Sequence, residues 1–333
     1  MKHFTLHESS AIRRVALFAG LLVAFLAAII LAHPAHAAAN NSVNTLKITP
    51  VRSDIQIRPG QSKVVKMTVT NLTESPIVVK PVQNDFIAGD EDGSPALILD
   101  ADKFAPTHSL KRFMTPLADM KIPAKETRTL DVKISVPQNA QAGGYFGAVR
   151  FAPSTTGEGG QVNLNASVAS IILLTVPGDL VEKLSVTNFD VQQGGKDGWL
   201  FADGKDIEVL ARFENTGNVQ VAPFGKISVK NGDKVVYETD FNAGSPKDMT
   251  LPDYARRWKI PLDKVDTFGN YTVSATITYG SKNYTLDLTK SFWVVPMSYI
   301  IAAVAALVVI VALIVVLAMR RGRRGKKLRL GRR

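Results

Sequence analysis

Apolar and polar residues alternate without a break in the stretch Tyr271-Thr-Val-Ser-Ala-Thr-Ile-Thr-Tyr279. Successive side chains of a β-strand point to opposite faces of its sheet, so this stretch predicts a strand with one face in a core and the other in water. The same period recurs over residues 130–136 and 207–214, and no long stretch repeats with the period of a helix. We therefore predict that the central region is built from half-buried antiparallel strands.

Turn-forming residues separate the predicted strands at a spacing that is typical of β-sandwiches. These turns fall at Pro59-Gly60, Asp92-Gly93, Gly143-Gly144, Asn215-Thr-Gly-Asn218, Asn231-Gly-Asp233 and Gly280-Ser281. A weak internal repeat accompanies them, because one strand ends at Asn71 and another at Asn215, where a short side chain can cap a turn. With a boundary near Pro177-Gly178-Asp179, the sequence predicts an all-β fold of two tandem immunoglobulin-like β-sandwich domains, residues 38–178 and 179–296.

The N-terminal segment has the pattern of a secretory signal peptide. Basic residues at positions 2, 13 and 14 precede an apolar run over residues 15–31, and Ala35 and Ala37 then provide the small side chains that signal peptidase requires. We predict a signal peptide over residues 1–37, with cleavage after Ala37. An uncleaved signal anchor is the alternative, because the apolar run is long for this kind of segment.

A second apolar segment, residues 297–319, contains no charged side chain over 23 positions. As a helix it would be about 35 Å long, which is enough to cross a bilayer core of about 30 Å. Because a basic tail follows it, the sequence predicts a single-pass protein of the cell membrane, with residues 38–296 outside and residues 320–333 in the cytoplasm. The predicted membrane-interface anchors are Trp293 and Tyr299 on the outer side and Arg320 and Arg321 on the inner side.

The distribution of charge argues against a nucleic-acid partner. The chain carries 40 Lys and Arg against 29 Asp and Glu, but nine of the basic residues lie in the tail, residues 320–333. The first 37 residues hold three bases and one acid, so the region between the two ends has 28 of each. A surface that follows a polyphosphate needs clustered positive charge, and no nucleic-acid partner is predicted.

Residues suited to catalysis are scarce in this chain. It has no cysteine, which excludes disulfides, thiol catalysis and zinc sites built on cysteine. His108 is the one histidine beyond the predicted signal peptide, and the motifs of serine hydrolases, zinc proteases and P-loop proteins do not occur. We predict a protein that is not an enzyme and carries no cofactor, with His108 as a loop residue.

An acidic cluster provides the strongest candidate for a metal site. Asp85, Asp90, Glu91 and Asp92 are close in sequence and precede Gly93, and neighbouring carboxylates can gather Ca²⁺. The cluster lacks the register of an EF-hand and a downstream acidic residue at the closing position. A solvated hairpin tip is therefore the preferred interpretation, and no metal site is assigned.

The candidate ligand site is the glycine-bearing segment 143–151, Gly-Gly-Tyr-Phe-Gly-Ala-Val-Arg-Phe. A glycine inside a strand leaves space where another backbone or an extended ligand could approach, and an exposed aromatic ring beside it would suit stacking on a sugar or peptide. A bulged strand packed in a core is the alternative interpretation. The candidate ligand-binding residues are Gly143, Gly144, Tyr145, Phe146, Gly147 and Arg150.

Several of these features together resemble the WxL-interacting proteins of Gram-positive cell surfaces. The shared features are a first sandwich opening with Leu46-Lys-Ile-Thr-Pro50, Pro59-Gly60-Gln61, the strand end at Asn71, the Asp92-Gly93 turn and the strand Gly143-Gly-Tyr-Phe-Gly147. The order of parts is also the same, with two β-domains, one membrane span and a short basic tail. The resemblance implies a first domain associated with peptidoglycan and a second that binds a host surface or matrix.

We therefore expect a non-enzymatic, membrane-anchored extracellular adhesion or scaffold protein that binds peptidoglycan or another cell-surface protein through its β-sandwiches. The alternative is an accessory subunit of an export or envelope-assembly complex, recruited through its span and tail. Small residues such as Ala302 and Ala306 would permit contact between helices, but Ile, Val and Leu dominate the rest of the span, which favours a plain anchor. The sequence does not indicate an oligomeric state.

Overall fold

The computed structural model describes residues 45–100, 102–154 and 167–329. Strands and their connections make up this part of the chain, apart from one 3₁₀ turn and one long helix at the C-terminal end. The prediction of a mainly β fold with a C-terminal apolar helix is confirmed. The predicted signal peptide and the last four residues of the basic tail lie outside the described residues.

The N-terminal part of the described chain forms two sheets. Its strands are β1 (Leu46–Thr49), β2 (Arg52–Gln56), β3 (Ser62–Asn71), β4 (Ile77–Ala88), β5 (Pro95–Leu97), β6 (Met120–Ile122), β7 (Thr127–Ser135), β8 (Gly143–Ser154) and β9 (Val168–Val176), with the 3₁₀ turn at Lys111–Phe113. A three-stranded sheet has the order β1-β3-β7, and a six-stranded sheet has the order β2-β9-β8-β4, with β5 and β6 both paired to β4. The pairing of β2 with β9 is parallel.

The C-terminal part forms two further sheets. Its strands are β10 (Leu184–Gln193), β11 (Lys196–Asp197), β12 (Leu200–Phe201), β13 (Ile207–Asn215), β14 (Phe224–Asn231), β15 (Lys234–Phe241), β16 (Ala255–Pro261), β17 (Gly269–Tyr279) and β18 (Tyr284–Val294). The orders are β11-β10-β13-β16 in one sheet and β12-β18-β17-β14-β15 in the other. Here the short β12 runs parallel to β18.

Each pair of sheets encloses its own core, so each pair is a β-sandwich. In the first sandwich, residues 45–176, the fully buried side chains include Met67 and Phe151. In the second sandwich, residues 184–294, they include Tyr271. The five apolar residues of the alternating stretch 271–279 are all buried on β17, so the period-two prediction for this strand is confirmed. The immunoglobulin-like topology and the boundary at residue 178 stay predictions.

One predicted turn is wrong. Gly143 and Gly144 open strand β8 and pair with β9, and the reversal of the chain occurs earlier, where the Ala140 N–H donates to the Pro137 carbonyl at 3.1 Å. The glycines serve close approach instead, because a Cβ on Gly143 would lie 2.7 Å from the Asn218 carbonyl oxygen of the second sandwich. This glycine pair therefore lies where the backbone of the first sandwich contacts the backbone of the second.

Helix α1 (Met297–Arg329) follows β18 after two residues. Its first part, Met297–Ile314, has a mean hydropathy of 2.8, and none of it is buried against the rest of the chain. By length and composition this is the one helix in the described chain that could cross a membrane. The helix continues past the predicted end of the span and through Arg320 and Arg321.

Candidate functional site

The six-stranded sheet of the first sandwich is apolar on both faces. Phe86 of β4, Phe146 and Ala148 of β8 and Leu173 of β9 form a buried cluster on the face that points away from the sandwich core. Their neighbours along the same strands, such as Val149, point to the core. A strand that is buried on both faces needs a covering element on each side, so this outer face requires a partner surface.

The second sandwich covers this outer face. Its segment between β15 and β16 places Met249 and Leu251 against the cluster. Arg52 of β2 reaches the same segment, since its Nη1 donates to the Lys247 carbonyl at 2.9 Å and its Nη2 lies 3.0 Å from the Met249 sulfur. The two sandwiches therefore meet at an apolar contact rimmed by hydrogen bonds.

A cavity of about 550 Å³ remains within this contact, which we call the junction cavity. Its volume lies in the range of about 300–1,000 Å³ that is usual for ligand pockets. Both sandwiches supply its walls, and the side chains that line it are mostly apolar. They include Pro50, Phe86, Ala88, Pro95, Ile171 and Leu173 from the first sandwich and Pro246, Met249, Leu251, Tyr254, Ala255 and Arg256 from the second.

The acidic hairpin between β4 and β5 forms an ion-pair bridge to the second sandwich. Glu91 Oε1 accepts hydrogen bonds from Arg212 Nε at 2.9 Å and Nη2 at 2.7 Å, and Glu91 Oε2 pairs with Arg257. The hydrogen bonds from Arg212 hold the pKa of Glu91 below its ordinary value, and Glu91 in turn raises the pKa of Arg212. The preferred interpretation of this hairpin as a solvated tip is therefore wrong for Glu91, which joins the two sandwiches.

Gly93 in this hairpin allows an arginine to pack on its backbone. Gly93 has a φ of +85°, and a Cβ there would overlap the guanidinium of Arg256. Arg256 Nη1 donates to the Met249 carbonyl at 3.0 Å, and Nη2 lies 3.1 Å from Asp248 Oδ2. Arg256 Nε is buried and has no hydrogen-bond partner among the described residues. Thr250 Oγ1, which also belongs to the cavity wall, is likewise buried without a hydrogen-bond partner among the described residues.

The remaining acidic residues do not form a metal site. Asp85 is buried within the first sandwich, where its carboxylate accepts hydrogen bonds from the Ala105 N–H, the Ser109 hydroxyl and the Lys111 N–H at 2.6–2.9 Å. Asp92 accepts from the Ser94 N–H at 2.8 Å. Across residues 45–100, 102–154 and 167–329, no three or more His, Asp or Glu side chains are grouped so as to hold a metal ion.

The predicted ligand segment lies in β8, between β4 and β9. The space beside Gly147 is filled from the core side, because a Cβ there would lie 2.9 Å from Met114 Cε and 3.0 Å from Leu110 Cβ. Ligand binding at this segment stays a prediction, and in the present arrangement its outer face meets the second sandwich. The structure places Gly143, Gly144, Phe146 and Gly147 in buried positions and Tyr145 and Arg150 in half-buried ones.

The first residues of β8 and the end of β9 make a further polar contact with the second sandwich. The Gly144 N–H donates to the Asn218 carbonyl at 2.8 Å, and Gln220 Nε2 donates to Thr175 Oγ1 at 3.0 Å. His108 lies in a loop, as predicted, with Nδ1 at 2.6 Å from the Gly144 carbonyl oxygen. The bonds of Gly144 and Gln220 therefore tie the sandwiches in addition to the Glu91 bridge and the Arg52 contacts.

The junction cavity was missed by sequence reasoning, although β9 carried a signal for it. The run Ile171-Ile-Leu-Leu-Thr-Val176 is apolar at nearly every position instead of at every second one. Such a run indicates a strand that is covered on both faces. Its neighbour β8 places Phe146 and Ala148 on the outer face for the same reason.

The chain has no match among known protein-family models, and no curated protein matches it. Neither result bears on the resemblance to WxL-interacting proteins, and membership in that family stays a prediction. The boundaries of the predicted domains also stay predictions.

Solved structures with a partial likeness to the chain include fimbrial chaperones. The class 5 fimbriae chaperone CfaA is 13% identical, with a TM-score of 0.37, and the match covers 74% of this chain and 98% of that one. The E. coli chaperone DraB is 14% identical, with a TM-score of 0.31 and coverage of 74% and 96%. A chain from the Salmonella enterica complex of SafA pilin with the SafB chaperone is 12% identical, with a TM-score of 0.31 and coverage of 75% and 96%. Likenesses of this size do not indicate what this chain binds.

Proposed function

We propose that this chain is a non-enzymatic, membrane-anchored binding protein that holds an apolar segment of a partner protein in the junction cavity. The observation that carries the proposal is the cavity itself, which both sandwiches line mostly with apolar side chains and which the described residues 45–100, 102–154 and 167–329 leave unfilled. Apolar surface that stays in contact with water costs free energy, and another molecule that covers this surface removes the cost. A segment of another protein can supply that cover.

The lining of the cavity favours a protein segment over a wall polysaccharide. Every sugar ring presents several hydroxyl groups, and each of these costs free energy when it is buried without a hydrogen bond. The junction cavity offers mainly Phe86, Ile171, Leu173, Met249 and Leu251, which suit aliphatic or aromatic side chains.

Membrane anchoring is supported by helix α1. An apolar helix of which no residue in the span Met297–Ile314 is buried by the protein would be covered by lipid hydrocarbon in a membrane. The basic residues that follow the apolar segment favour a cytoplasmic C-terminus, which places both sandwiches outside. The predicted signal peptide supports the same topology.

The test of the cavity uses a substitution that fills it. Ala88 lines the cavity, and Phe86, two positions earlier on β4, faces the same side, so Ala88→Phe should occupy the space. The matched control is Ala118→Phe, since Ala118 is an exposed loop residue that does not line the cavity. Full-length protein in detergent is immobilised and exposed either to a cell-surface protein extract or to purified peptidoglycan.

We expect the wild type and Ala118→Phe to retain protein from the extract, and Ala88→Phe to lose it. Pretreatment of the extract with protease should abolish the retained material. Equal retention by Ala88→Phe and wild type would show that the cavity is not the site. Retention of peptidoglycan by all three proteins, with no protein bound, would support a wall-polymer site elsewhere on the sandwiches.

A further inference from the structure

Exposed aromatic and apolar side chains gather at one end of the second sandwich, where helix α1 begins. Trp199 is 67% exposed, Leu200 50%, Phe268 49%, Trp293 39% and Tyr299 57%. We call these five residues the aromatic collar. The sequence suggested only Trp293 and Tyr299 as interface residues, because Trp199, Leu200 and Phe268 are remote from the span along the chain.

The fold brings the three remote residues to the span. Strand β12 pairs in parallel with β18, so that Leu200 lies beside Trp293 in register, and the Trp293 N–H donates to the Trp199 carbonyl at 2.7 Å. The Phe268 ring centroid lies 6.2 Å from that of Trp293 and 5.4 Å from that of Tyr299. Tyr299 belongs to the first turn of helix α1, so the collar is continuous with the apolar helix.

The connection between sandwich and helix is short and hydrogen-bonded. Two residues, Val295 and Pro296, separate β18 from α1. The Val295 N–H donates to the Phe201 carbonyl at 2.9 Å, and the Tyr299 N–H donates to the Pro296 carbonyl at 2.9 Å. A connection of this kind holds the collar at the level where the helix would enter a bilayer.

We propose that the aromatic collar lies in the interfacial layer of the membrane and seats the second sandwich on the lipid headgroups. The inference rests on the proposed membrane anchoring. Tryptophan and tyrosine prefer this layer because their rings combine an apolar body with a polar N–H or O–H group. The collar contains no charged side chain, and the surface that continues it, helix α1, is covered by lipid in the proposed topology. Lipid is therefore also the occupant that fits the collar.

The chain offers its own probes, because its three tryptophans are Trp199, Trp258 and Trp293. Trp258 serves as an internal control, since its ring packs against Phe213 and Phe241 in the second sandwich, with centroids 5.7 and 5.4 Å away. Three full-length variants that each keep one tryptophan, with phenylalanine at the other two positions, are reconstituted into phosphatidylcholine vesicles. Part of the lipid is brominated near the headgroup end of its acyl chains, and circular dichroism checks that each variant keeps its β structure.

We expect the brominated lipid to quench most of the fluorescence of the Trp199-only and Trp293-only variants and little of that of the Trp258-only variant. A Trp199-only variant that floats with the vesicles but is quenched no more than the Trp258-only variant would overturn the proposal. That result would leave the anchoring intact and would expose the collar to water or to another protein. Failure of the chain to float with vesicles would instead overturn the membrane anchoring on which the collar proposal rests.

Discussion

Asn71 and Asn215 have the same function in the two sandwiches. In each case Nδ2 donates to the carbonyl four residues further on at 2.8 Å, and Oδ1 accepts from the N–H two residues further on at 2.9 Å. Each Nδ2 also donates to a carbonyl of a distant segment, at Pro123 or Thr250. Both side chains are completely buried. The internal repeat in the sequence is therefore a turn that is held, in each sandwich, by the side chain of a buried asparagine. We call this arrangement the turn lock.

Replacement of Asn215 by aspartate tests this lock. Asn215→Asp keeps the size of the side chain but removes its donor and places a carboxylate against the Val219 and Thr250 carbonyls. A buried acceptor that loses its partner costs about 1–3 kcal/mol, so the free energy of unfolding should fall by at least that amount. Asn139→Asp, at an exposed position, is the control and should change it little. Urea unfolding of the full-length protein in detergent measures both, and equal midpoints would contradict the lock.

Gly147 distinguishes the groove from the core interpretation of β8. Because Leu110 and Met114 occupy the space beside it, Gly147→Val should overpack the first sandwich and cost about 1–3 kcal/mol. Gly244→Val is the control, since a Cβ there meets only the Pro246 carbonyl oxygen at an ordinary 3.7 Å. Thermal unfolding should show a lower midpoint for Gly147→Val alone. Loss of binding to peptidoglycan or to cell-surface protein, with an unchanged unfolding midpoint, would instead favour an accessible groove.

At the scale of elements, the β4–β5 hairpin acts as a clasp between the sandwiches. At its tip, Glu91 forms ion pairs with Arg212 and Arg257, and the backbone of Gly93 packs against Arg256. All three arginines belong to β13 or β16. Strand β13 thus points apolar side chains into the core of the second sandwich and the side chain of Arg212 toward the hairpin. An alternating strand can therefore serve a core and a domain contact at once.

The clasp should respond to pH through Glu91. The pKa of this carboxyl is lower in the folded chain, so its contribution to stability is fully present above the ordinary pKa of glutamate and is lost as the pH falls through the folded value. Glu91→Gln should lower the stability by about 1 kcal/mol at pH 7, as is usual for a partly exposed pair. Asp90→Asn is the control. The difference between wild type and Glu91→Gln in urea unfolding should shrink in acid, and a constant difference would contradict the role of Glu91.

At the scale of the whole molecule, the apolar junction couples the two sandwiches. We expect the fragments 42–178 and 180–294 each to show β-type circular dichroism, because each sandwich has its own core. Fragment 42–178 should nevertheless self-associate more than 42–294, since Phe146 and Leu173, which the second sandwich covers in the full chain, would be exposed in it. Analytical ultracentrifugation measures this, with Phe146→Ser in the short fragment reducing association. Two monomeric, fully stable fragments would mean that the junction adds little.

The topology of the whole chain is also testable. Protease added to intact, wall-stripped cells should digest the two sandwiches and spare a tag placed after residue 333. This outcome is expected because the basic residues that follow the apolar segment favour the cytoplasmic side. Permeabilised cells provide the control, in which the tag should be lost. Loss of the tag from intact cells would reverse the orientation.

Local patterns in the sequence determined the strand content, several turns, the asparagine repeat and the apolar C-terminal segment. Strand alternation can be read locally, because the pleat fixes the direction of each side chain from its position in the strand. The five buried residues of β17 illustrate this. The apolar length of α1 is equally local, since hydropathy depends on consecutive residues only.

The tertiary structure alone decided what the outward-facing residues meet. Glu91 and Arg212 are 121 positions apart, and no local spacing relates a hairpin tip in one sandwich to a strand of the next. The same holds for Phe86, whose cluster is covered by Met249 of the second sandwich, and for Leu200 and Trp293, which are 93 positions apart and are brought together by the pairing of β12 with β18. Side-chain direction is a property of a single strand, whereas the partner of an outward-facing side chain depends on how separate sheets pack together.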